Sequence, residues 1–190
     1  MGGYERDTSG VNDAELIERS LVDGASFALL FDRHFRTIHR FLCGRVGSQL
    51  AEDLSAETFA IAFRRRSAYD SSRLDALPWL YGIAINVMRG HRRSEERRLR
   101  ADARAAADGG TATDGVDPPL DETVASALLA LSEQDRNLVL LFAWAGLSYD
   151  QLAEALGIPL GTVASRLNRA RSRLRSSLGP VLTPHAGERT

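Results

Sequence analysis

The sequence contains no lysine, so all 24 of its basic side chains are arginine. A GC-rich coding sequence is enough to explain this bias, although the planar guanidinium group also suits phosphate and guanine. Only one cysteine is present, Cys43, which excludes an internal disulfide framework and favours a reducing compartment. The hydrophobic content of 44% excludes extensive disorder. The length of 190 residues allows one medium domain or two small ones.

Long apolar runs are also missing. The longest, residues 138–147, reaches about half of the ~20 residues that a membrane-spanning helix needs. The N-terminal stretch MGGYERDTSGVNDAELIERS is polar and acidic, which excludes a signal peptide. We therefore expect a cytoplasmic protein without a membrane segment.

The sequence offers little for catalysis or metal binding. No glycine-rich phosphate loop follows a strand pattern and no nucleophile–base set stands out, so we expect no enzyme and no cofactor. His34, His39 and Cys43 form the one metal-like grouping. Two of them share a helical face four residues apart, but two ligands without a third partner do not predict a metal site.

The net charge of −1 hides a strong segregation of charge along the chain. Residues 31–104 carry fifteen arginines against nine acids, and residues 136–190 carry seven against three. Between them, residues 105–135 carry seven acids and no arginine. This pattern predicts two basic blocks separated by an acidic segment.

The apolar spacing is helical along both blocks, and no alternating strand pattern occurs. In the first block it predicts helices at 13–22, 25–46, 49–66 and 76–102. We predict an all-α fold of two small helical domains joined by a flexible acidic linker rich in Gly, Thr, Asp and Pro. The predicted boundaries are a tail at 1–12, a domain at 13–104, the linker at 105–122, a domain at 123–178 and a tail at 179–190.

The C-terminal block has the spacing of a helix-turn-helix. Ser148 and Gln151 form a capping box at the start of one helix, and Gly157 supplies a left-handed stop. Pro159, which suits a first helical position, opens a second helix soon afterwards.

This second helix combines an apolar stripe with many arginines. Val163, Leu167, Ala170 and Leu174 fall on one side at 100° per residue, which predicts that this side packs inward. The remaining positions suit a recognition helix in a major groove, with central residues at base edges and flanking arginines at phosphates: Gly161, Thr162, Ser165, Arg166, Asn168, Arg169, Arg171, Ser172, Arg173 and Arg175. A solvated surface helix is the alternative, but such a face usually includes acids, and none occurs between 155 and 187.

The stretch PWLYGIAINVMRGHRR, residues 78–93, has a buried stripe and an opposite polar face. Aromatic, Asn and Arg side chains on a basic helix suit melted or single-stranded nucleic acid: Trp79, Tyr81, Gly82, Asn86, Arg89 and Arg93. For Trp79 a place in the core is the better prediction.

The helix predicted at 49–66 carries Glu52, Asp53 and Glu57 in its first half and arginines at its end. This order complements the helix dipole and needs no partner. An acidic protein-docking surface explains the cluster equally well.

Three stretches together resemble a known family. AEDLSAETFAIAFRRR, PWLYGIAINVMRGHRR and LSYDQLAEALGIPLGTVASRLNRARSRLR occur in the order and spacing of bacterial RNA polymerase sigma factors. The resemblance is to the extracytoplasmic-function (ECF) group of the sigma-70 family, which has only the second and fourth sigma regions, and it covers residues 13–178.

The resemblance implies a role for each stretch. Glu52, Asp53 and Glu57 would dock on the β′ clamp helices of core polymerase. The 67–77 loop and the following helix would melt the −10 promoter element and capture a flipped base, with Asn86 at the family's Asn. The last helix would read the −35 element as duplex, and its domain would touch the β flap. An anti-sigma factor is a further partner that the family allows.

Three residues depart from the family pattern. Ala164 stands where a basic residue is usual, Ala56 where Gln is usual and Gly82 where a basic residue is common. The first departure could alter the −35 preference. Two other functions stay open from the residues alone: a conventional helix-turn-helix regulator, and a helical interaction protein that does not initiate transcription.

Overall fold

The computed structural model describes residues 10–105 and 122–178, which are helical and contain no β-strand. The chain divides into two compact units, one within Met1–Val116 and one within Asp117–Thr190. The prediction of an all-α fold with two helical domains is confirmed. The tails and most of the linker predicted at 105–122 lie outside the described residues, and the domain boundaries stay predictions.

The described part of the first unit, residues 10–105, contains four α-helices. They are α1 (Asp13–Val22), α2 (Phe27–Val46), α3 (Ser48–Arg65) and α4 (Leu77–Ala105). Short 3-10 turns, Gly24–Ser26 and Arg66–Ala68, precede α2 and follow α3. The predicted helices agree to within a few residues. The largest difference at a start is α2, which begins later because the Asp23 carboxylate accepts a hydrogen bond from the Ala25 amide (3.1 Å) and holds the 3-10 turn.

Helices α1 to α4 bury one apolar core. Its largest fully buried side chains are leucines and isoleucines: Leu16, Ile17, Leu30, Ile38, Leu42, Leu80 and Ile85. Both α2 and α3 pack against α4. Because each buried side chain of this size contributes roughly 1.5–3 kcal/mol by leaving water, these contacts hold α4 in place.

The second unit contains α5 (Glu122–Leu129), α6 (Glu133–Ala143), α7 (Tyr149–Leu156) and α8 (Leu160–Leu178). Helix α8 packs against the other three. The buried apolar side chains of this unit include Leu128, Leu131, Leu138, Leu140, Leu141, Leu152, Val163, Leu167 and Ala170.

The turn between α7 and α8 has the predicted chemistry. The Gln151 amide donates to the Ser148 hydroxyl (3.2 Å) and the Ser148 amide donates to the Gln151 side chain (2.9 Å), which completes the capping box. Gly157 ends α7 in the left-handed conformation at φ 62°, where a Cβ is disfavoured. Pro159 was predicted to be the first residue of the second helix, but it is the residue just before α8. Its carbonyl accepts a hydrogen bond from the Thr162 amide (2.8 Å).

No helix among the described residues is both long enough and apolar enough to cross a membrane.

Candidate nucleic-acid and docking surfaces

Helix α8 separates an inward face from an outward one. Val163, Leu167 and Ala170 are at most 1% exposed, as the helical spacing predicts. The exposed residues on the other side are Gly161, Ser165, Asn168, Arg169, Ser172, Arg173 and Arg175. Arg169 makes no hydrogen bond, ion pair or ring contact with any described residue, so its guanidinium is available to a ligand.

Three further positions predicted on α8 are half-buried. Arg166 and Thr162 lie at the edge of the exposed face. The Arg171 guanidinium carbon lies 4.6 Å from the centre of the Phe142 ring, on α6. This cation–π contact links the helix-turn-helix to α6, so Arg171 supports the position of α8 in addition to any contact with phosphate.

The N-terminal end of α8 presents little side-chain bulk. A Cβ added at Gly161 would meet no atom within 4 Å, so the glycine is not required by packing. The Ser165 hydroxyl donates to the Thr162 carbonyl (3.1 Å) and stays within its own helix. The backbone of the first turn is therefore accessible to a ligand along its outer side.

The predicted polar face of α4 is present in part. Asn86 and Arg93 are exposed, while Gly82 and Arg89 are half-buried. Trp79 is half-buried and does not belong to the buried core, and its ring centre lies 5.0 Å from that of Tyr69 in the preceding loop.

Tyr81 does not belong to this face. Its side chain is 3% exposed, and its ring packs edge-on against Phe41 of α2 with centres 4.8 Å apart. Burial raises the pKa of the Tyr81 hydroxyl, although the charges of Arg40 and Arg45 oppose the shift. The prediction that Tyr81 contacts a nucleic-acid base is therefore wrong for this structure. Helix α2 covers the side of α4 that carries Tyr81, and the single apolar stripe of α4 did not predict that a second side is buried.

The loop between α3 and α4 is ordered by its own hydrogen bonds. The Asp70 carboxylate accepts from the Ser72 amide (3.1 Å) and hydroxyl (2.7 Å), and the Tyr69 hydroxyl donates to the Arg73 carbonyl (2.6 Å). Hydrogen bonds from Ser72, followed by that from Arg73, lower the pKa of Asp70. The Asp and Ser residues that mark this turn were visible in the sequence, but the bond from Tyr69 was not.

The three acids of α3 form an exposed cluster. Glu52, Asp53 and Glu57 all face solvent, and no ion pair within residues 10–105 and 122–178 neutralises them. Ala51, Leu54 and Ala62 of the same helix are buried on the opposite side. The cluster is therefore an uncompensated negative surface.

The residues weighed as metal ligands do not converge. His39 contacts Cys43 (3.5 Å), whereas His34 lies against Asp13 of α1 (2.6 Å). A different trio, Asp13, His34 and Asp75, brings its potential ligand atoms within 4.8 Å of one another. Both Asp13 oxygens already accept hydrogen bonds, so this trio is better explained as a structural network.

Comparisons with known proteins agree on one family. A model described as Sigma-70 region 2 matches residues 30–98, and one described as Sigma-70, region 4 matches residues 121–174. The RNA polymerase sigma factor CarQ of Myxococcus xanthus is 34% identical over 84% of the chain and 94% of its own length. The ECF RNA polymerase sigma factor SigM of Mycobacterium tuberculosis is 33% identical over 96% of the chain and 90% of its own length.

A solved structure shows the same likeness. The sigma factor RpoE of Bartonella quintana, in complex with the anti-sigma factor NepR, has a TM-score of 0.62 and 25% identity. The match covers 80% of the present chain and 96% of that one.

Proposed function

Since the chain belongs to the ECF group of sigma-70 RNA polymerase sigma factors, we propose that its exposed polar surfaces divide the work of promoter recognition among themselves. A sigma factor binds core polymerase and directs it to promoter DNA. The outward face of α8 is the strongest support for this proposal. The buried stripe of α8 fixes the helix on its domain, and the opposite side leaves four residues exposed, namely Ser165, Asn168, Arg169 and Ser172.

Helix α8 reads the −35 element as duplex. A major groove admits one α-helix, and the small side chains of Ser165 and Ser172 let its backbone come close to the base edges. Arg169 lies in the centre of the exposed face, where a guanidinium can donate two hydrogen bonds to guanine. Arg173 and Arg175 reach phosphates on the groove walls, which sets the register of the helix on the duplex.

Helix α4 and the loop before it act on the melted −10 element. Asn86 presents an amide that can pair with the edge of a flipped base, and Arg93 supplies positive charge for the backbone. Trp79 and Tyr69 support the loop by their ring contact. Gly82 and Arg89 are half-buried on the same helix.

The acidic cluster of α3 docks on the β′ clamp helices of core polymerase. Glu52, Asp53 and Glu57 meet the requirement for such a surface, which is exposed charge without an internal partner. The second unit contacts the β flap. The polymerase supplies the catalytic activity, so the chain itself performs no catalysis. It acts in the cytoplasm, where it meets the polymerase and the promoter. An anti-sigma factor is a further partner, as NepR is for the Bartonella quintana relative.

Binding measurements with and without core polymerase test this function. We expect the chain to bind core polymerase and the complex to bind a −35/−10 promoter fragment, whereas the chain alone binds the duplex weakly. A conventional helix-turn-helix regulator would bind duplex DNA tightly by itself. A helical interaction protein would bind neither a promoter nor an initiating complex.

A further inference from the structure

A buried carboxylate at the start of α1 contacts the segment that leads into α4. Asp13 is 4% exposed, although an ionised carboxylate is costly to bury without partners. One oxygen, Oδ2, accepts hydrogen bonds from the Ala76 amide (2.9 Å) and from His34 Nε2 (2.6 Å). The other, Oδ1, accepts from the Arg33 guanidinium (2.6 Å). These partners come from α2 and from a position 63 residues further along the chain.

The contact continues through the backbone. The Asp13 amide donates to the Leu74 carbonyl (3.1 Å), so one residue binds the loop at two points. Ala76 is the residue just before α4, and its carbonyl accepts from the Leu80 amide (2.9 Å). Asp13 therefore holds the last residues of the loop at the point where they enter α4.

Two side chains hold Asp13 itself. Arg33 also donates to the Val11 carbonyl (3.0 Å), so its guanidinium links the residues before α1 to the Asp13 carboxylate. His34 is buried on α2. Three elements thus meet at a single carboxylate, and a change in its geometry is transmitted to the loop and to the first turn of α4.

The other end of the loop is held separately. The Tyr69 hydroxyl donates to the Arg73 carbonyl, and the Tyr69 ring contacts Trp79 on the first turn of α4. Between these two anchors residues 70–75 are exposed. A loop that is fixed at both ends and exposed in its middle is suited to present its backbone to a ligand in one conformation.

We propose that Asp13 is a positioning residue for −10 recognition: its carboxylate fixes the 69–76 loop and the start of α4, and so aligns Asn86 and the loop for base capture. The proposal rests on the function proposed above for α4. Asp13 touches no DNA. It acts through the backbone of Leu74 and Ala76, as a support that keeps a binding site within the narrow geometry that recognition requires.

One measurement is independent of transcription. Hydrogen exchange at the Ala76 amide should be slow in the wild type, because its acceptor is a buried carboxylate. Asp13→Asn keeps the size of the side chain but removes its charge, and should speed exchange at Ala76 at least about tenfold. Amides of α3 should be unchanged. Equal exchange at Ala76 in both proteins would overturn the proposed support.

The functional measurement is the preference for one base over another at the captured −10 position in run-off transcription. This ratio does not depend on how much protein is folded. We expect Asp13→Asn to reduce the preference at least about threefold while the dependence on the −35 sequence is kept, since a lost support costs precision at that one site. Ile38→Val, which truncates a fully buried side chain on α2, is the matched control for destabilisation and should leave the ratio unchanged.

A second variant covers the case in which Asp13→Asn does not fold. Arg33→Gln removes one support of the carboxylate but leaves the Ala76 bond, and should shift both readouts in the same direction by a smaller amount. An unchanged base preference in a folded variant refutes the proposal. If Asn86→Ala also leaves −10 preference unchanged, the proposed role of α4 fails as well, so the two failures can be told apart.

Discussion

Replacement of Arg169 by alanine separates base reading from folding on α8. The side chain is exposed and has no partner among the described residues, so its removal should leave the helix and its packing intact. Alanine has the higher helix propensity, and therefore the free energy of unfolding should stay equal or rise slightly. Any loss of promoter binding then belongs to the DNA contact.

The size of that loss follows from the geometry of a guanidinium on guanine. A bidentate contact contributes roughly 1–3 kcal/mol of discrimination against the wrong base. Because about 1.4 kcal/mol corresponds to a tenfold change in affinity, Arg169→Ala should weaken binding about fivefold to 150-fold on the preferred −35 sequence. On a sequence already changed at the contacted base pair, the variant should bind as the wild type does.

The assay is the Kd of the polymerase complex for a set of promoter fragments, each with one −35 base pair changed, at a fixed salt concentration. Arg173→Ala is the matched control, since Arg173 is also exposed on the same helix. It should weaken binding to all fragments alike and reduce the salt slope by about one. If the two variants lose the same affinity on every fragment, Arg169 does not read a base.

Four further results are expected. Charge reversal at Asp53 and Glu57 should abolish co-elution with core polymerase and leave the helical circular dichroism unchanged, because both are exposed; undiminished co-elution would contradict the docking surface. Asn86→Ala should fail mainly on closed promoters in run-off transcription, and a template with a mismatched −10 region should restore much of its activity, because unpairing a base costs a few kcal/mol; equal impairment on both templates would indicate a role in folding or docking. Gly161→Ala should raise the free energy of unfolding by up to about 1 kcal/mol in urea titration, since the Cβ meets open space, yet weaken −35 binding; unaltered binding would contradict a close backbone approach. Burial alone would raise the pKa of Asp13, but hydrogen bonds from His34, Ala76 and Arg33 lower it. The contribution of this carboxylate to stability is therefore complete above pH about 4 and is lost as the pH falls further. In urea titrations, the free energy of unfolding of Asp13→Asn should fall less steeply with acid than that of the wild type, and an identical pH profile would refute this.

Helical periodicity predicted the orientation of α8 because its buried face is narrow. A stripe at 100° per residue places Val163, Leu167 and Ala170 together whichever helices they contact. Local hydrogen bonding likewise predicted the turn before α8, since Ser148 and Gln151 cap each other without help from the rest of the fold.

Helical periodicity and local hydrogen bonding do not predict contacts between distant parts of the chain. Tyr81 is buried because two helices cover α4, and periodicity within α4 does not reveal the second one. The bond from the Ala76 amide to Asp13 joins positions 63 residues apart, and a single Asp at a helix start looks like an ordinary first-turn acid. The ring contact of Arg171 is hidden for the same reason.

Run-off transcription with start-site mapping tests the central claim most directly. Purified core polymerase, given the full chain and genomic DNA fragments, should begin transcripts at a defined set of sites that share a −35 and a −10 sequence. Core polymerase alone, or with the chain charge-reversed at Asp53 and Glu57, should not use these sites. If the wild-type chain leaves the start sites of core polymerase unchanged, or only represses transcription from sites that it binds by itself, the chain does not act as an initiating sigma factor.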